Sequence, residues 1–285
     1  MHPFALLQQL LPTRLLSRLM HSIASSRYRP LKNLLIRAFM KLFRIDLSEA
    51  VMRDPLAYES FNAFFTRALK PAARPLPEDP AGVASPVDGT LGQFGELERD
   101  RLLQAKGMTY SAAELLGDAD AAAPFLGGRF ATIYLAPTNY HRVHMPLTGT
   151  LRQTRYVPGR LFGVNPMSVR GISRLFTRNE RLVCLFDTAA GPMAVVLVGA
   201  FCVGGMETVW SGTVTPPHRR SGGVTDWPVE NTATRLGRGD EMGRFNLGST
   251  VILLLGAGAA DWASHLKPDA PVRMGQSLGH LTPGA

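Results

Sequence analysis

The sequence predicts an α+β protein in which a mainly antiparallel, β-barrel-like domain follows a helical N-terminal region. Up to about residue 70 of the 285-residue chain, apolar residues recur at helical spacing. Beyond residue 86, short runs rich in Val, Thr, Phe and Gly dominate, and Gly and Pro punctuate them. A Pro-rich connector, about 71–86, separates the two patterns. We therefore expect one domain at 1–75 and a β-rich domain at 76–285.

The N-terminal region carries the periodicity of amphipathic helices. Residues 3–20 predict a first helix, which Pro12 is expected to break or restart. Residues 31–45 predict a second helix, and a third is expected near residues 58–68. The apolar residues of the second helix should share one broad face made of Leu31, Leu34, Leu35, Ala38, Phe39 and Leu42.

The positive charge of the chain is concentrated in these helices. The formal net charge is +9, and residues 1–44 hold eight Lys or Arg but no Asp or Glu. Such a balance suits an anionic partner: nucleic acid, an acidic membrane or an acidic substrate. A basic amphipathic helix can lie in a lipid interface, so we expect the N-terminal helical region to be membrane-associated. Helices packed on the domain are the alternative, and both can hold at once.

The remainder of the chain reads as strands. The predicted strands lie at residues 89–94, 130–136, 149–157, 181–187, 193–203, 208–214 and 251–255. Residues 118–123 are Ala-rich and weakly polar, so we expect a surface loop there. No window of about 18 residues is apolar throughout, which argues against a membrane-spanning helix.

Three short stretches hold residues that could do chemistry: 85–89 with Asp88, 140–146 with His141 and His144, and 241–250 with Gly248 and Ser249. Taken singly, each stretch is weak evidence for a catalytic site. An Asp before Gly, for example, is usually a turn residue. Together they supply Asp, His and Ser, the parts of an activated nucleophile.

The Ser249 stretch does not fit the usual serine hydrolase. The pattern G-x-S-x-G would need Gly at positions that hold Leu247 and Val251. The chain instead places Gly248 directly before the serine, and glycine adopts strained backbone conformations at little steric cost. A strained Gly-Ser peptide bond is a suitable target for attack by its own serine hydroxyl.

The combination of motifs resembles a known family. The matching stretches are 85–89 (SPVDG), 140–146 (YHRVHMP), 179–181 (NER), 207–210 (ETVW), 241–243 (EMG) with Phe245, and 247–250 (LGST). Residues 64–71 (FFTRALKP) with Arg74-Pro75 match as well. From about residue 55 onward, the chain resembles the prokaryotic-type phosphatidylserine decarboxylases, which depend on a pyruvoyl group.

The resemblance implies roles for individual residues. Asp88, His144 and Ser249 would form a self-processing triad that cleaves between Gly248 and Ser249. Cleavage would give a β chain, 1–248, and an α chain, 249–285, whose first residue becomes the pyruvoyl cofactor. His141 would donate the proton that replaces the lost carboxylate. No metal is implied.

The resemblance also implies a substrate and a setting. The enzyme would convert phosphatidylserine in an anionic membrane into phosphatidylethanolamine and carbon dioxide. The α and β chains would stay together, and the αβ units would form a homo-oligomer. It would sit peripherally on the cytoplasmic face of the bacterial inner membrane. Arg219 and Arg220 are candidate headgroup contacts, although a solvated basic loop explains them as well.

Three rival interpretations use some of the same features. A Ser-His-Asp hydrolase would use the same residues but remain one uncut chain. A biotinyl or lipoyl carrier domain would explain 85–89 and 275–279, yet we find no modifiable Lys on an exposed hairpin. A nucleic-acid binder would interleave aromatic and basic residues, whereas this basic run is amphipathic and helical, so we expect no nucleic-acid partner.

Overall fold

The structure is a computed structural model that describes residues 8, 12–201, 205–215, 223–227, 234–246 and 248–282. The helices within these residues are α1 Thr13–Ala24, α2 Arg29–Phe43, α3 Phe61–Phe65, α4 Ala112–Leu116, α5 Ala119–Ala122, α6 Pro166–Gly171 and α7 Leu175–Arg178. Single 3₁₀ turns occur at Pro71–Ala73 and Ala123–Phe125. The first predicted helix, 3–20, is therefore seen only in part, because 1–7 and 9–11 lie outside the described residues.

Helix α2 packs on the protein by a narrower face than the sequence predicts. Ile36 is fully buried, and Leu35 and Phe39 are half-buried against aromatic side chains of the N-terminal region. Leu34 and Leu42 are instead 65% and 74% exposed. The expected single apolar face is thus split into a packed part and a solvent-facing part, because the neighbouring elements cover only one side of the helix.

The third helix is shorter than expected but well defined. Its first turn is capped by Ser60, whose hydroxyl accepts a hydrogen bond from the backbone N–H of Ala63. Phe61, Phe64 and Phe65 are buried, and they form a small hydrophobic cluster with α2. This cluster is separate from the larger core of the β region.

The rest of the described chain is mostly strands. They are β1 Gly82–Ala84, β2 Gly89–Glu96, β3 Arg101–Ala105, β4 Met108–Ser111, β5 Arg129–Leu135, β6 Arg142–His144, β7 Gly149–Val157, β8 Arg181–Thr188, β9 Gly191–Val198, β10 Met206–Thr208, β11 Gly212–Thr215, β12 Thr225–Trp227, β13 Arg235–Leu236, β14 Glu241–Phe245, β15 Ser249–Leu255, β16 Ala260–Trp262, β17 Pro271–Val272 and β18 Ser277–Leu281.

The strands form open antiparallel sheets, as the mixed α+β prediction requires. The largest sheet has the order β12-β7-β8-β9-β15-β5-β2-β17, with β13 also paired to β7. Smaller sheets have the orders β11-β10-β14-β6 and β1-β18-β16, and β3 pairs with β4. Strand β15 lies in the middle of the largest sheet, and all of its residues are buried.

The barrel-like part of the prediction is wrong. Among the described strands, the outer ones of the largest sheet, β12 and β17, do not pair with each other, whereas a barrel must close. Strand β17 has two residues and begins with Pro271, which has no N–H to donate to a further strand. The sheet therefore ends there.

Other predictions hold in part. The 149–157 strand matches β7, but the 208–214 run is a hairpin of β10 and β11 rather than one strand. The expected loop at 118–123 contains α5, because the Asp118 carboxylate caps its first turn. No helix in the described part of the chain is both long enough and apolar enough to cross a bilayer.

Candidate active site

The ends of three adjacent strands bring two of the predicted residues, Asp88 and Ser249, to one place. Ser249 opens β15 and pairs with Leu135 at the end of β5. Asp88 directly precedes β2, whose Thr90 pairs with Tyr134 on the other side of β5. Because β5 alone separates the two strands, the backbones of Asp88 and Ser249 lie about 10 Å apart, which is two strand spacings.

Two glycines shape this end of the sheet, each for a different reason. A Cβ at Gly89 would stand 2.4 Å from the carbonyl oxygen of Tyr134, so only glycine allows the close approach of β2 to β5. Gly248 has φ +50°, in the left-handed region that side chains disfavour, and apart from its chain neighbours no atom of the described residues lies within 4 Å of its Cβ position. The residue before Ser249 therefore has an unusual backbone conformation and open space beside it.

Ser249 is almost completely buried, with 1% of its surface exposed. Its hydroxyl donates a hydrogen bond to the carbonyl oxygen of Val198 on β9. The strand itself is held on both sides, by β5 and by β9. The reactive atom predicted from the sequence thus sits inside the sheet rather than on a surface loop.

His144 ends β6 and is positioned by backbone groups. Its own N–H donates to the carbonyl oxygen of Pro86, 2.8 Å away, which brings it next to the Asp88 turn. Its Nδ1 lies 2.8 Å from the carbonyl oxygen of Gly239. A carbonyl can only accept, so Nδ1 carries the proton and Nε2 presents a lone pair. The Tyr140 hydroxyl, 3.0 Å from Nε2, donates to that lone pair.

Burial controls the charge of this histidine. Desolvation lowers the pKa of His144, while the hydrogen bond to Gly239 and the negative charges of Glu241 and Asp88 act in the opposite direction. The neutral form is therefore favoured. A neutral imidazole with a lone pair at Nε2 is the form that a general base needs.

Asp88 is held by an arginine rather than by His144. The Arg74 side chain donates from Nε to Oδ1 at 2.8 Å and from a terminal nitrogen to Oδ2 at 2.5 Å. The backbone N–H of Met274 also donates to Oδ1, and Arg74 reaches Glu49 as well. These hydrogen bonds raise the pKa of Arg74, so this guanidinium is a permanent partner of the Asp88 carboxylate.

The structure gathers the three predicted triad residues without joining them by hydrogen bonds. Ser249 donates to Val198, His144 contacts Tyr140 and Gly239, and Asp88 contacts Arg74 and Met274. Asp88 nevertheless lies near enough to His144 for its charge to raise the pKa of the imidazole. Attack by Ser249 would require its hydroxyl to leave Val198.

His141 lies in the loop that joins β5 to β6 and is fully buried. Its ring stacks on Phe65 of α3, with 4.0 Å between the ring centroids. Nδ1 lies 2.8 Å from the carbonyl oxygen of Asn139, so Nε2 carries the lone pair, which has no hydrogen-bond partner in the described ranges. Desolvation lowers the pKa of His141 to about 3, and the nearby positive charge of Arg67 contributes.

Several residues of this site were not singled out by sequence reasoning. Tyr140 and Arg74 stood inside the matching motifs, but nothing in their spacing indicated contacts with His144 and Asp88. Asn246 is another: its side chain donates to Glu207 and accepts from Asn62 of α3. Such contacts join positions far apart in the chain, which a linear pattern does not reveal.

A cavity of about 170 Å³ lies beside the strand that Ser249 opens. Thr90, Tyr134 and Thr250 line it, and the hydroxyl of Thr250 is buried without a hydrogen-bond partner. Lys106 and Arg170 also line it. Ser249 is not among its lining residues, because neighbouring side chains of a strand point to opposite faces.

Two further findings concern possible metal ligands and headgroup contacts. Across the described ranges, no cluster of three or more His, Cys, Asp or Glu side chains is arranged to hold a metal ion. Arg219 and Arg220, the candidate headgroup contacts, lie outside the described residues.

The chain is similar to proteins of a known family. Residues 61–280 match the family model for phosphatidylserine decarboxylase, and residues 3–44 match a second model, described as PSD. The chain is 55% identical over 278 residues to the phosphatidylserine decarboxylase proenzyme of Ectopseudomonas mendocina, covering 97% of both chains. It is 52% identical to that of Azotobacter vinelandii, covering 98% of both chains.

A third relative is the phosphatidylserine decarboxylase proenzyme of Bordetella avium. It is 54% identical over 272 residues, which cover 95% of this chain and 92% of that protein. The family model spans most of the chain, including Asp88, both histidines and Ser249. From these matches, the chain belongs to the phosphatidylserine decarboxylase family.

Proposed function

We propose that the chain is a self-processing decarboxylase that converts phosphatidylserine into phosphatidylethanolamine and carbon dioxide, using a pyruvoyl group made from Ser249. The observation that carries the proposal is the place of the Gly248–Ser249 bond, at a buried strand end that also gathers Asp88, His141 and His144. Membership of the family supports the reaction. The name proenzyme, given to the relatives, supports the cleavage.

Cleavage begins with the Ser249 hydroxyl. His144 takes its proton at Nε2, and the oxygen attacks the Gly248 carbonyl carbon, so that an ester replaces the amide. β-Elimination then breaks the ester Cβ–O bond, leaving a carboxylate on Gly248 and dehydroalanine at position 249. After tautomerisation, one water molecule is consumed and ammonia is released, which leaves the ketone. The products are a β chain, 1–248, and an α chain, 249–285.

The contacts of His144 and Asp88 define what each does in this step. The Tyr140 hydroxyl has to turn away before Nε2 can receive the Ser249 proton, because it occupies that lone pair. Asp88 acts through its charge rather than through a hydrogen bond, since Arg74 and Met274 hold its carboxylate. Its negative charge stabilises the imidazolium that forms on His144.

The surroundings of Ser249 fit the proposed pyruvoyl group, which supplies an electron sink for decarboxylation. The group is the residue itself, so no separate binding pocket is needed. The open space beside Gly248 leaves room for the two new chain ends. Pairing of β15 with β5 and β9 retains the α chain in the sheet after cleavage.

His141 is proposed to deliver the proton to the carbon that loses carbon dioxide. At rest it is neutral, because burial lowers its pKa to about 3. It must therefore gain a proton during turnover before it can act as an acid. Its position in the loop between β5 and β6, at the same sheet end as Ser249, supports this role.

The N-terminal helices are proposed to hold the enzyme on an anionic bilayer. Leu15 and Leu19 of α1 are 67% and 56% exposed, as are the outward leucines of α2, Leu34 and Leu42. Exposed basic residues accompany them, which suits anionic headgroups. We place the enzyme peripherally on the cytoplasmic face of the bacterial inner membrane.

Two further parts of the proposal concern organisation. The division into domains at 1–75 and 76–285 is consistent with the two separate hydrophobic clusters. Association of αβ units into a homo-oligomer is a prediction that light scattering of the detergent-solubilised enzyme can check.

A lipid assay tests the proposed reaction. Purified protein is mixed with detergent-dispersed phosphatidylserine, and both carbon dioxide and lipid products are measured. We expect equimolar carbon dioxide and phosphatidylethanolamine. A serine hydrolase would release fatty acid or a lysolipid and no carbon dioxide, and that outcome would overturn the proposal.

A further inference from the structure

Arg67 is a buried cation two residues beyond the end of α3. Only 6% of its surface is exposed, and within the described residues its Nε has no hydrogen-bond partner. No ion pair joins Arg67 to any residue in the described part of the chain. Burial lowers the pKa of Arg67, yet a guanidinium stays charged in proteins. An unpaired buried charge is costly, so the site is built to receive an anion.

The acidic groups whose charge interacts with Arg67, Asp88 and Asp46, already have other hydrogen-bond partners. The negative charge of Asp88 is felt at Arg67, but Arg74 and the Met274 N–H bind both of its oxygens. Tyr58 and Tyr140, the other groups that influence Arg67, donate their hydroxyls elsewhere. Among the residues that the structure describes, Arg67 is therefore left without an ion-pair partner.

Arg67 lies near His141, because its positive charge helps to lower the pKa of that imidazole. Arg67 stands two residues after Phe65, the last residue of α3, and the Phe65 ring packs against His141. The carbonyl of Thr66 accepts a hydrogen bond from Arg142 of β6 at 2.9 Å, which fixes this segment against the site. Within the described part of the chain, the site thus offers a cation without an ion pair near His141, whose Nε2 lone pair has no hydrogen-bond partner.

We propose that Arg67 and His141 form a subsite for the α-ammonium carboxylate of the lipid headgroup. The guanidinium binds the carboxylate, and Nε2 of His141 accepts a hydrogen bond from the ammonium group. A ligand that carries an anion and an N–H donor on one carbon matches both unpaired groups. The inference rests on the proposed function, and it explains how the enzyme distinguishes its substrate from a product that lacks the carboxylate.

One other carboxylate, that of Gly248 after cleavage, could bind to Arg67. Cleavage leaves a carboxylate on Gly248, and Asn246, two residues earlier, contacts Asn62 of α3. An uncut chain does not possess this group. Binding to an uncut variant therefore separates the two sources.

The test uses Ser249→Ala, which keeps Arg67 and His141 but cannot cleave or turn over. Calorimetry measures its affinity for glycerophosphoserine and for glycerophosphoethanolamine, which differ only in the carboxylate. We expect glycerophosphoserine to bind at least about tenfold more tightly, the effect of one charge-assisted hydrogen bond. Adding Arg67→Gln should abolish the difference, and Arg67→Lys should restore part of it. Arg53→Gln, at an exposed cation, serves as the matched control and should leave it unchanged.

Equal affinities in the Ser249→Ala protein would overturn the subsite, as would a preference that survives Arg67→Gln. The otherwise wild-type chain carrying Arg67→Gln provides the second arm, read by intact mass. Loss of cleavage there, with an unchanged headgroup preference, would assign Arg67 to the Gly248 carboxylate instead. Failure of the proposed function is seen separately, because it removes carbon dioxide release by wild-type enzyme whatever the uncut variant binds.

Discussion

The active end of the large sheet and the N-terminal helices break the usual rule of burial in opposite directions. At the sheet end, His141, Ser249 and Arg67 are polar or charged and almost fully buried. On the helices, Leu34 and Leu42 are apolar and mostly exposed. Buried polar groups need partners, and exposed apolar side chains favour association where they are grouped together.

The difference assigns a separate task to each region. At the sheet end, buried polar groups without hydrogen-bond partners among the described residues can bind a headgroup or exchange a proton with it. On the helices, exposed leucines among basic residues can bind the membrane surface that carries the headgroup. Changes at the sheet end should therefore affect cleavage, turnover and headgroup recognition but not binding to vesicles, and changes on the helices should do the reverse.

Removing the Ser249 hydroxyl should have the largest effect. Ser249→Ala cannot form the ester, so we expect an uncut chain and a loss of decarboxylation of about 10³-fold or more. Gel electrophoresis and carbon dioxide release measure the two effects. Ser277→Ala, which changes another serine of the same proposed α chain, should cleave normally. Normal vesicle binding by Ser249→Ala would support the separation of tasks.

The two histidines should divide the chemistry between them. We expect His144→Gln to slow cleavage by about 10²–10⁴-fold, the usual contribution of a general base. His141→Gln should cleave at nearly the wild-type rate but lose decarboxylation by a similar factor. Time courses of cleavage and of carbon dioxide release test this, with exposed His265→Gln as the control. The opposite pattern would exchange the two roles.

The buried His141 should also make stability depend on pH. Its pKa is about 3 in the folded protein and about 6.5 when unfolded, so the unfolded state binds more protons between those values. Stability is therefore fully present above pH 6.5 and falls as the pH is lowered towards 3. At pH 5 we expect His141 to cost about 2 kcal/mol of unfolding free energy relative to pH 7.5. Urea unfolding measures it, and the slope should be shallower in His141→Gln.

The smallest effects should come from the helices. Replacing Leu34 or Leu42 with Ser removes apolar area from the proposed bilayer contact, and we expect about a tenfold loss of vesicle binding for each. Cosedimentation with phosphatidylserine vesicles measures this. Cleavage and thermal stability should not change. Leu126→Ser, at a 48% exposed leucine outside these helices, is the control, and equal losses there would contradict the assignment.

The sequence predicts the positions of long strands better than it predicts which residues contact each other. Strand β7 begins at Gly149 and ends at Val157 as expected, because local residue preferences and turn signals define it. The short β6 and β14 were missed, since three to five residues carry little periodicity. Their pairing nevertheless positions His144.

The sequence suggests candidate site residues one by one, but it does not predict the network of contacts around them. Asp88, His141, His144 and Ser249 stand in recognisable motifs, and one sheet end gathers them. The partners that decide their chemistry are set by tertiary structure: Arg74 for Asp88, and Gly239 for His144. The outward position of Leu34 likewise depends on which side of α2 the domain covers, and the helical period cannot tell this.

Intact mass of the purified protein, before and after treatment with hydroxylamine, tests the central claim most directly. We predict two chains, 1–248 and 249–285, of which only the shorter one gains the mass of an oxime on its N-terminal ketone. A single uncut chain of 31.0 kDa that forms no oxime and still decarboxylates phosphatidylserine at the full rate would contradict it.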